Sequence, residues 1–315
     1  MAAPARPAAA VAVRPPAWLG DLLPAPLQPG KACLLAGEPV PSLALASRAI
    51  GRRRELARER GLAVALGIDM IHAAVDALLA RMALPRAVAL DVLAADDSAL
   101  AEGVVAGIVR GGHAHDLELA CGQARAATGL EHVALTLAGG VIAHPMTPEP
   151  GNVVLALRGH GPCDSDFEWT VERQRQLGLD PEQSLPGGDR LADALLVPQA
   201  SFFSVLRDPL RQRWPARLLV VADGGLTGSL AAALPAGVGA GLDLRAWRPP
   251  PPFPQLLADG TRLSAAAAAC SVGCGMLALV PERDADRWLG HTRAWNEPAE
   301  PIGRLTHGAG VEVVG

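Results

Sequence analysis

Short apolar runs alternate with longer amphipathic segments along most of the 315-residue chain. AVALDVLA, LELACGQ and HVALTLAGGVI in the first half, and VVLALRG, RLLVVAD and MLALVP in the second, are typical of buried strands. Between them, SALAEGVVAGIVRGG and ERDADRWLGHTRAW have apolar residues at helical spacing. This alternation predicts an α/β (α+β) fold with sheets covered by helices.

Four further segments receive definite predictions from the same patterns. LAVALGID, bounded by glycine and aspartate, is predicted as a buried strand, with the helix MIHAAVDALLARMAL after it. KACLLAG is predicted as a strand, and PSLALASRAIGRRRELARERG as a helix. The final AEPIGRLTHGAGVEVVG is predicted as two short strands around a glycine turn.

One internal boundary is marked by TPEPGN at 147–152, which combines two prolines with Gly-Asn. It predicts a first domain at 29–148 and a second at 149–315. Residues 1–28 are rich in alanine and proline, and we expect them to form a flexible extension.

Composition excludes several classes of function. The formal charge of −4 and the lack of a basic stripe argue against nucleic-acid binding. Lys31 is the only lysine, and no phosphate-binding Gly-x-x-x-x-Gly-Lys motif surrounds it. No run of about 18 apolar residues predicts a membrane span. Five scattered cysteines do not indicate a disulfide framework, so we expect a cytoplasmic protein.

Several landmarks in the second half carry a family resemblance: GGLTGSLAAALPAGVGAGLD, WRPPPPFPQLLADG, CSVGCGMLALVPERDADRWL and PAEPIGRLTHGAGVEVVG, in that order. Together with LALGIDMIHAAVDALLARMALPRAVALDVLA upstream, this order resembles the aminoimidazole ribonucleotide (AIR) synthase family and its wider superfamily. The resemblance covers about residues 31–315. It implies a two-domain fold whose N-terminal sheet forms a homodimer, with ATP near the interface. It also implies phosphoryl transfer from ATP to an amide or similar oxygen of a small substrate.

Three aspartates survive from the family pattern: Asp69, Asp76 and Asp91. We expect Asp69 at a strand end and Asp76 about two turns into the next helix, where the pair would hold Mg²⁺ between nucleotide phosphates. The alternative is that Asp69 caps that helix and Asp76 is solvated or ion-paired.

Other polar features of the family are missing. The segment 36–42 stands where its glycine-rich loop is expected, and two prolines there remove N–H donors, although Glu38 offers a carboxylate. The acidic family segment corresponds to 122–126, which contains Gln123 and no acid. The sequence His113-Ala-His115-Asp116 suggests a metal cluster, but a solvated turn after the paired glycines is the alternative.

New acids stand near the position of the family's substrate-facing turn. Asp164, Asp166 and Glu168 predict an acidic site there, with His160 partly replacing a lost histidine. Their alternative role is to complement a helix dipole.

The turn Asp223-Gly224-Gly225-Leu226-Thr227 precedes a helix, where free N–H groups and the dipole favour an anion. Gly224, Gly225 and Thr227 are therefore predicted to contact a phosphate or to shape its pocket. Asp223 would repel a phosphate, and its alternative role is to cap the helix.

Two functions from different classes remain open. One is a divergent ATP- and Mg²⁺-dependent enzyme acting on a small amide-type, possibly ribosylated, substrate. The other is a catalytically degenerate paralogue that keeps the fold and the dimer interface and has a regulatory or partner role. An unrelated α/β protein is a third reading, which predicts no particular oligomer.

Overall fold

The computed structural model describes Trp18, Leu22 and residues 42–127 and 131–315, without the side chain of Cys121. The predicted extension at 1–28, the predicted KACLLAG strand and Glu38 lie outside this part of the chain, apart from Trp18 and Leu22. Trp18 is buried, and its indole N–H donates to the Ala95 carbonyl at 3.4 Å.

In the described part of the chain, the first sheet has four strands in the order β1-β4-β2-β3. Their bounds are β1 Leu43–Ala49, β2 Ala83–Ala94, β3 Glu118–Ala126 and β4 His132–Val141. β4 pairs antiparallel with both β1 and β2, whereas β3 runs parallel to β2 at the edge. Burial alternates along β4, so one face of this sheet packs into the core and the other is open.

The described residues of this half form three helices: α1 Arg54–Arg60, α2 Ala63–Leu79 and α3 Ala99–Ala114. α2 and α3 cross very closely, at Gly67 and Gly107. A Cβ atom at Gly67 would lie 2.0 Å from the Val104 carbonyl oxygen, so only glycine permits this approach. Ser98 caps α3 by accepting a hydrogen bond from the N–H of Ala101.

The second sheet has six strands in the order β10-β7-β9-β5-β8-β6. Their bounds are β5 Val153–Arg158, β6 Arg217–Val220, β7 Val238–Asp243, β8 Cys274–Val280, β9 Ala299–His307 and β10 Val311–Val314. The central β5 and β8 are buried along almost their whole length, as expected for strands covered on both faces.

The helices of the second half surround this sheet. Their bounds are α4 Phe167–Leu177, α5 Leu191–Ala194, α6 Phe203–Arg211, α7 Gly225–Ala231, α8 Phe253–Leu256, α9 Leu263–Ala266 and α10 Glu282–Ala294. A 3-10 turn at Asp164–Asp166 leads into α4. The predicted mixed α/β fold is confirmed, and so are most of the predicted strands.

Two local predictions were wrong. LAVALGID begins helix α2, with Leu62 at its cap. Apolar residues stand on its exposed side as well as on its buried side, Val64 being 39% exposed, and this hides the helical period in the sequence. LALASRA is strand β1, and its exposed residues alternate with inward-facing ones. The final segment forms the two predicted strands around a glycine turn, although they do not pair with each other, since β7 lies between β9 and β10 and pairs with both.

Candidate functional site

Asp69 and Asp76 lie on the same helix, α2, and both are buried. The expectation that Asp69 ends a strand was therefore wrong, and so was its alternative role as a helix cap. The seven-residue spacing places both carboxylates on one face of the helix, two turns apart.

Both carboxyl oxygens of Asp69 have partners. The Arg53 guanidinium donates to Oδ2, and the backbone N–H of Gln199 donates to Oδ1 at 2.8 Å. Arg53 is also buried and donates to the Leu195 carbonyl at 3.4 Å. Asp69 therefore joins α2 to the extended segment that follows α5.

Asp76 holds the same segment a few residues further on. Its Oδ1 accepts a hydrogen bond of 3.0 Å from the backbone N–H of Phe202. Burial raises the pKa of the Asp76 carboxyl well above its usual range, against the lowering effects of the Phe202 and Gln199 hydrogen bonds and of the Arg48 charge.

Two histidines complete the attachment of this segment. His72, between the two aspartates on α2, donates through Nδ1 to the Gln199 carbonyl at 2.6 Å. His115, after α3, contacts Ser201 Oγ at 2.7 Å, and its ring centroid lies 5.2 Å from that of His72. Burial is the main cause that lowers the pKa of His72. We call residues 199–202 the strap.

The Asp69–Asp76 pair does not fit Mg²⁺ in this arrangement, since a metal would have to displace the strap and Arg53 from the carboxyl oxygens. His113 and Asp116 do not form a cluster with His115, whose Nδ1 faces the Gly111 carbonyl. Among the described residues, no group of three or more His, Cys, Asp or Glu side chains could hold a metal by itself. The assignment of Asp69 and Asp76 as ligands stays a prediction, and this geometry argues against it.

Asp166 also has a structural role. Its carboxylate accepts hydrogen bonds from the Ser271 N–H at 2.7 Å, the Ser271 hydroxyl at 2.5 Å and the Cys163 N–H at 3.1 Å. Burial raises the pKa of the neighbouring Cys163 to about 12, so its thiol is protonated at neutral pH. Asp166 ties the turn before α4 to the loop before β8.

Asp164, in contrast, is half-exposed and keeps one oxygen without a hydrogen-bond partner among the described residues. That oxygen, Oδ1, lies 3.8 Å from Arg53 Nε, which also has no hydrogen-bond partner there. The carboxylate rests on Gly51, where a Cβ atom would lie 2.3 Å from Oδ1. His160 is exposed, and its charge contributes to lowering the pKa of His72. His160 and Asp164 therefore both lie near the residues that hold the strap.

Three N–H groups of the glycine turn before α7 are already hydrogen-bonded within the fold. The N–H groups of Gly225, Leu226 and Thr227 donate to the carbonyls of Ala222, Cys270 and Ala267, at 3.1 Å in each case. Gly224, with φ of 89°, occupies the cap position, so Asp223 is not the cap. The argument from free N–H groups was therefore wrong, because this turn packs against the 267–270 segment.

A cavity of about 560 Å³ lies on the open face of the first sheet. Its floor is made of small side chains, Ala49, Ala89 and Ala134, on three adjacent strands. Asp91 of β2 pairs in register with Gln123 of β3, so their side chains stand side by side at one end. At the β1–β4 end, the hydroxyls of Ser47 and Thr136 are hydrogen-bonded at 2.8 Å.

The oxygen donors of this cavity fit a hard cation held jointly with a phosphate. Mg²⁺ usually takes one or two carboxylates and completes its shell with phosphate oxygens and water. Asp91 would supply the carboxylate and Gln123 an amide oxygen. Asp91 is the one survivor of the family pattern in this cavity, whereas Asp69 and Asp76 are on the opposite side of the sheet, in the helix layer.

Sequence reasoning missed Arg53, Gly51, His72 and the cavity around Asp91. Arg53 stands in Gly51-Arg-Arg-Arg directly after β1, so this segment, and not 36–42, follows the first described strand. The period-two alternation of LALASRA was the signal that could have found it.

Comparison with known proteins agrees with this fold. Residues 149–315 match the family described as AIR synthase related protein, C-terminal domain. The chain belongs to this family.

One curated relative and two solved structures illustrate the likeness. The chain is 26% identical over 275 residues to the chloroplastic phosphoribosylformylglycinamidine cyclo-ligase of Arabidopsis thaliana, covering 83% of this chain and 70% of that protein. Thiamine-monophosphate kinase from Stenotrophomonas maltophilia superposes with a TM-score of 0.64 at 18% identity, covering 92% and 90% of the two chains. The hydrogenase maturation protein HypE in complex with ATP gives 0.62 at 19% identity, covering 92% and 82%.

The helices of the described residues were also compared with the length and hydropathy that crossing a bilayer requires. None of them is long and apolar enough to do so.

Proposed function

We propose that this protein binds ATP in the cavity around Asp91 and uses it to activate a small amide-type substrate by phosphoryl transfer, in the cytoplasm. The observation that carries the proposal is the cavity itself, whose oxygen donors face an open surface while the other family aspartates are buried. HypE has been solved with ATP, which supports nucleotide binding within this fold.

In this proposal, different residues bind the nucleotide and contact the substrate. Asp91 and Gln123 hold the nucleotide through Mg²⁺, and the small floor residues leave room for its ring or ribose. The metal, when bound, neutralises charge on the phosphates. Asp164 and His160 are the groups that face the substrate, because the Asp164 side chain is half-exposed and His160 is exposed, and Arg53 places a positive charge beside Asp164. Gly224, Gly225 and Thr227 only shape the wall of the second half.

The nucleotide step is tested by titration calorimetry with Mg·ATP. We expect Asp91→Asn to weaken binding at least tenfold, since a charged contact to a metal–phosphate group is lost, whereas the exposed Asp243→Asn should leave it unchanged. No binding of millimolar ATP to the unmodified protein would rule out the proposed enzyme.

The chemical step has a separate assay. ADP release is followed with Mg·ATP and phosphoribosylformylglycinamidine, the compound in the name of the curated relative, beside simpler primary amides. Asp164→Asn should reduce turnover without changing the affinity for ATP. Equal turnover in Asp164→Asn and in the unmodified protein would remove Asp164 from the mechanism.

A degenerate paralogue is the second candidate function. The observation that favours it is the use of Asp69, Asp76 and Asp166 as fold contacts, which leaves few carboxylates for catalysis. It predicts no ATP binding and an intact dimer, so the calorimetry separates the two candidates.

We also propose that a second copy of the chain covers the part of the open face around Leu43 and Leu45 of β1, so that the Asp91 cavity lies beside the interface. Leu43 and Leu45 on β1 are 58% and 68% exposed there, which is unusual for a monomer surface. Leu45→Glu should convert a dimer to a monomer in light scattering after gel filtration. Val171→Glu, at an exposed position on α4, is the matched control and should not do so. A monomer in the unmodified protein would contradict this arrangement.

A further inference from the structure

A second cavity lies at the junction of the two halves, away from the Asp91 cavity, and has a volume of about 370 Å³. It is formed by Ser42, the stretch Val141–His144 after β4, and the turn Arg213–Pro215 between α6 and β6. It shares no lining residue with the Asp91 cavity. The volume suits a small molecule of a few rings at most.

Hydrogen bonds hold the walls of this junction cavity in place. The N–H of Val141 donates to the Ser42 carbonyl at 3.0 Å, and the N–H of Met146 donates to the Ala216 carbonyl at 2.9 Å. The first bond joins the end of β4 to the residue before β1. The second joins the segment after β4 to the residue before β6. The cavity is therefore preformed and needs little rearrangement to accept a ligand.

Trp214 is the aromatic wall, and its ring is fixed from several sides. The Arg287 guanidinium stacks 3.6 Å from the ring centroid, and Trp288 meets the ring edge-on at 5.4 Å. The indole N–H donates to the Gln212 side chain at 3.0 Å. The indole is only 8% exposed, and that exposed part lines the cavity beside apolar Ile142 and Pro215, which favours a small, flat, apolar group there.

The rim is polar and carries no acid. Arg213 and His144 are both exposed, and neither side chain forms an ion pair or a hydrogen bond within the described part of the chain. No aspartate or glutamate lines the cavity, in contrast to the cavity around Asp91. The backbone of Arg213 has a φ of 55°, a left-handed conformation that is rare for arginine. Arg213 adopts it in the turn that lines the cavity.

We propose that the junction cavity is a binding site for a small planar carboxylate, with its ring against Trp214 and its carboxylate on Arg213 and His144. A guanidinium fork and an imidazole N–H together supply the donors that a carboxylate accepts. The site is independent of the proposed ATP cavity, and its ligand would touch both halves of the chain.

The test is a titration of the full chain with benzoate, measured by calorimetry. For a ligand of this size we expect a dissociation constant on the order of 1 mM. Benzyl alcohol, which has the ring without the charge, should bind at least tenfold more weakly.

Arg213→Gly is the decisive variant, because glycine suits the left-handed φ and the protein should fold at least as well. It should weaken benzoate binding at least tenfold, and Arg211→Gln, an exposed arginine outside the cavity, should not. His144→Gln should weaken it to a smaller extent. The proposal is overturned if benzoate does not bind, if benzyl alcohol binds equally well, or if Arg213→Gly binds benzoate as the unmodified protein does.

Discussion

Arg53 and Asp69 form an ion pair in which the two side chains are only 1% and 5% exposed. Arg53 lies just before α1 and Asp69 lies on α2, while the other contacts of both residues reach the chain beyond residue 160. The pair therefore stands where the first half of the molecule meets the second. A buried pair of this kind is sensitive to the loss of one partner.

Asp69→Asn should lower the free energy of unfolding by about 3 kcal/mol, because Arg53 would keep its charge in a buried site with only the Asp164 carboxylate, 3.8 Å away, as a counter-ion. Urea unfolding at neutral pH measures this loss. Asp243→Asn, which breaks an exposed pair with Arg245, is the matched control and should cause no measurable change. Equal effects of the two substitutions would show that the Arg53–Asp69 pair is not buried in solution.

The close crossing of α2 and α3 gives a second prediction. A Cβ atom at Gly107 would lie 2.1 Å from the Val64 carbonyl oxygen and 2.9 Å from the Gly67 Cα, and backbone atoms cannot move aside easily. Gly107→Ala should lower the free energy of unfolding by about 3 kcal/mol.

Gly290→Ala is the control for this helix crossing. Gly290 lies inside helix α10 with nothing within 4 Å of an added Cβ, so alanine should stabilise the protein by about 0.5–1 kcal/mol. If both substitutions stabilise, the two helices do not approach as closely as described.

The amino-acid sequence was sufficient to predict much of the fold. Runs such as AVALDVLA form buried strands, and the landmarks from the glycine turn before α7 to the last strand were enough to indicate the family. The sequence misled where apolar residues on the exposed side hide the period, as in the first half of α2, and where alanine makes an alternating strand look helical, as in β1.

The candidate site was harder to predict, for a physical reason. Asp69 and Asp76 were singled out from the sequence as Mg²⁺ ligands, but the backbone N–H groups that they accept belong to Gln199 and Phe202, more than 120 residues away in the chain. A carboxylate that holds a backbone N–H and one that holds a metal look the same in a sequence. Only the tertiary contacts of α2 with the strap distinguish the two roles.

The buried carboxyl of Asp76 predicts a pH dependence of stability. Burial raises its pKa in the folded state above the unfolded value of about 3.9, so the folded state binds the proton more tightly. This contribution to stability is fully present below the unfolded pKa and is lost as the pH rises through the folded pKa.

Asp76→Asn removes that titration and keeps an oxygen to accept the Phe202 N–H. The variant should therefore be more stable than the unmodified protein at neutral pH, and the difference should shrink as the pH falls toward about 4. Urea unfolding over this range measures it. A variant that is less stable at neutral pH would indicate that the charged carboxylate stabilises the fold.

His72 predicts the opposite slope. Burial lowers its pKa in the folded state below the unfolded value of about 6.5, and the nearby charge of His115 and His160 acts in the same direction, while Asp69 and the Gln199 carbonyl oppose it. The unfolded state then binds the proton more tightly, so this contribution to stability is fully present above the unfolded pKa and is lost as the pH falls toward the folded pKa.

His72→Asn keeps a donor for the Gln199 carbonyl and removes this titration. Its melting temperature should fall less than that of the unmodified protein between about pH 7 and pH 5. The exposed His307→Gln should follow the unmodified protein throughout, and an unchanged slope in His72→Asn would show that His72 does not report the attachment of the strap.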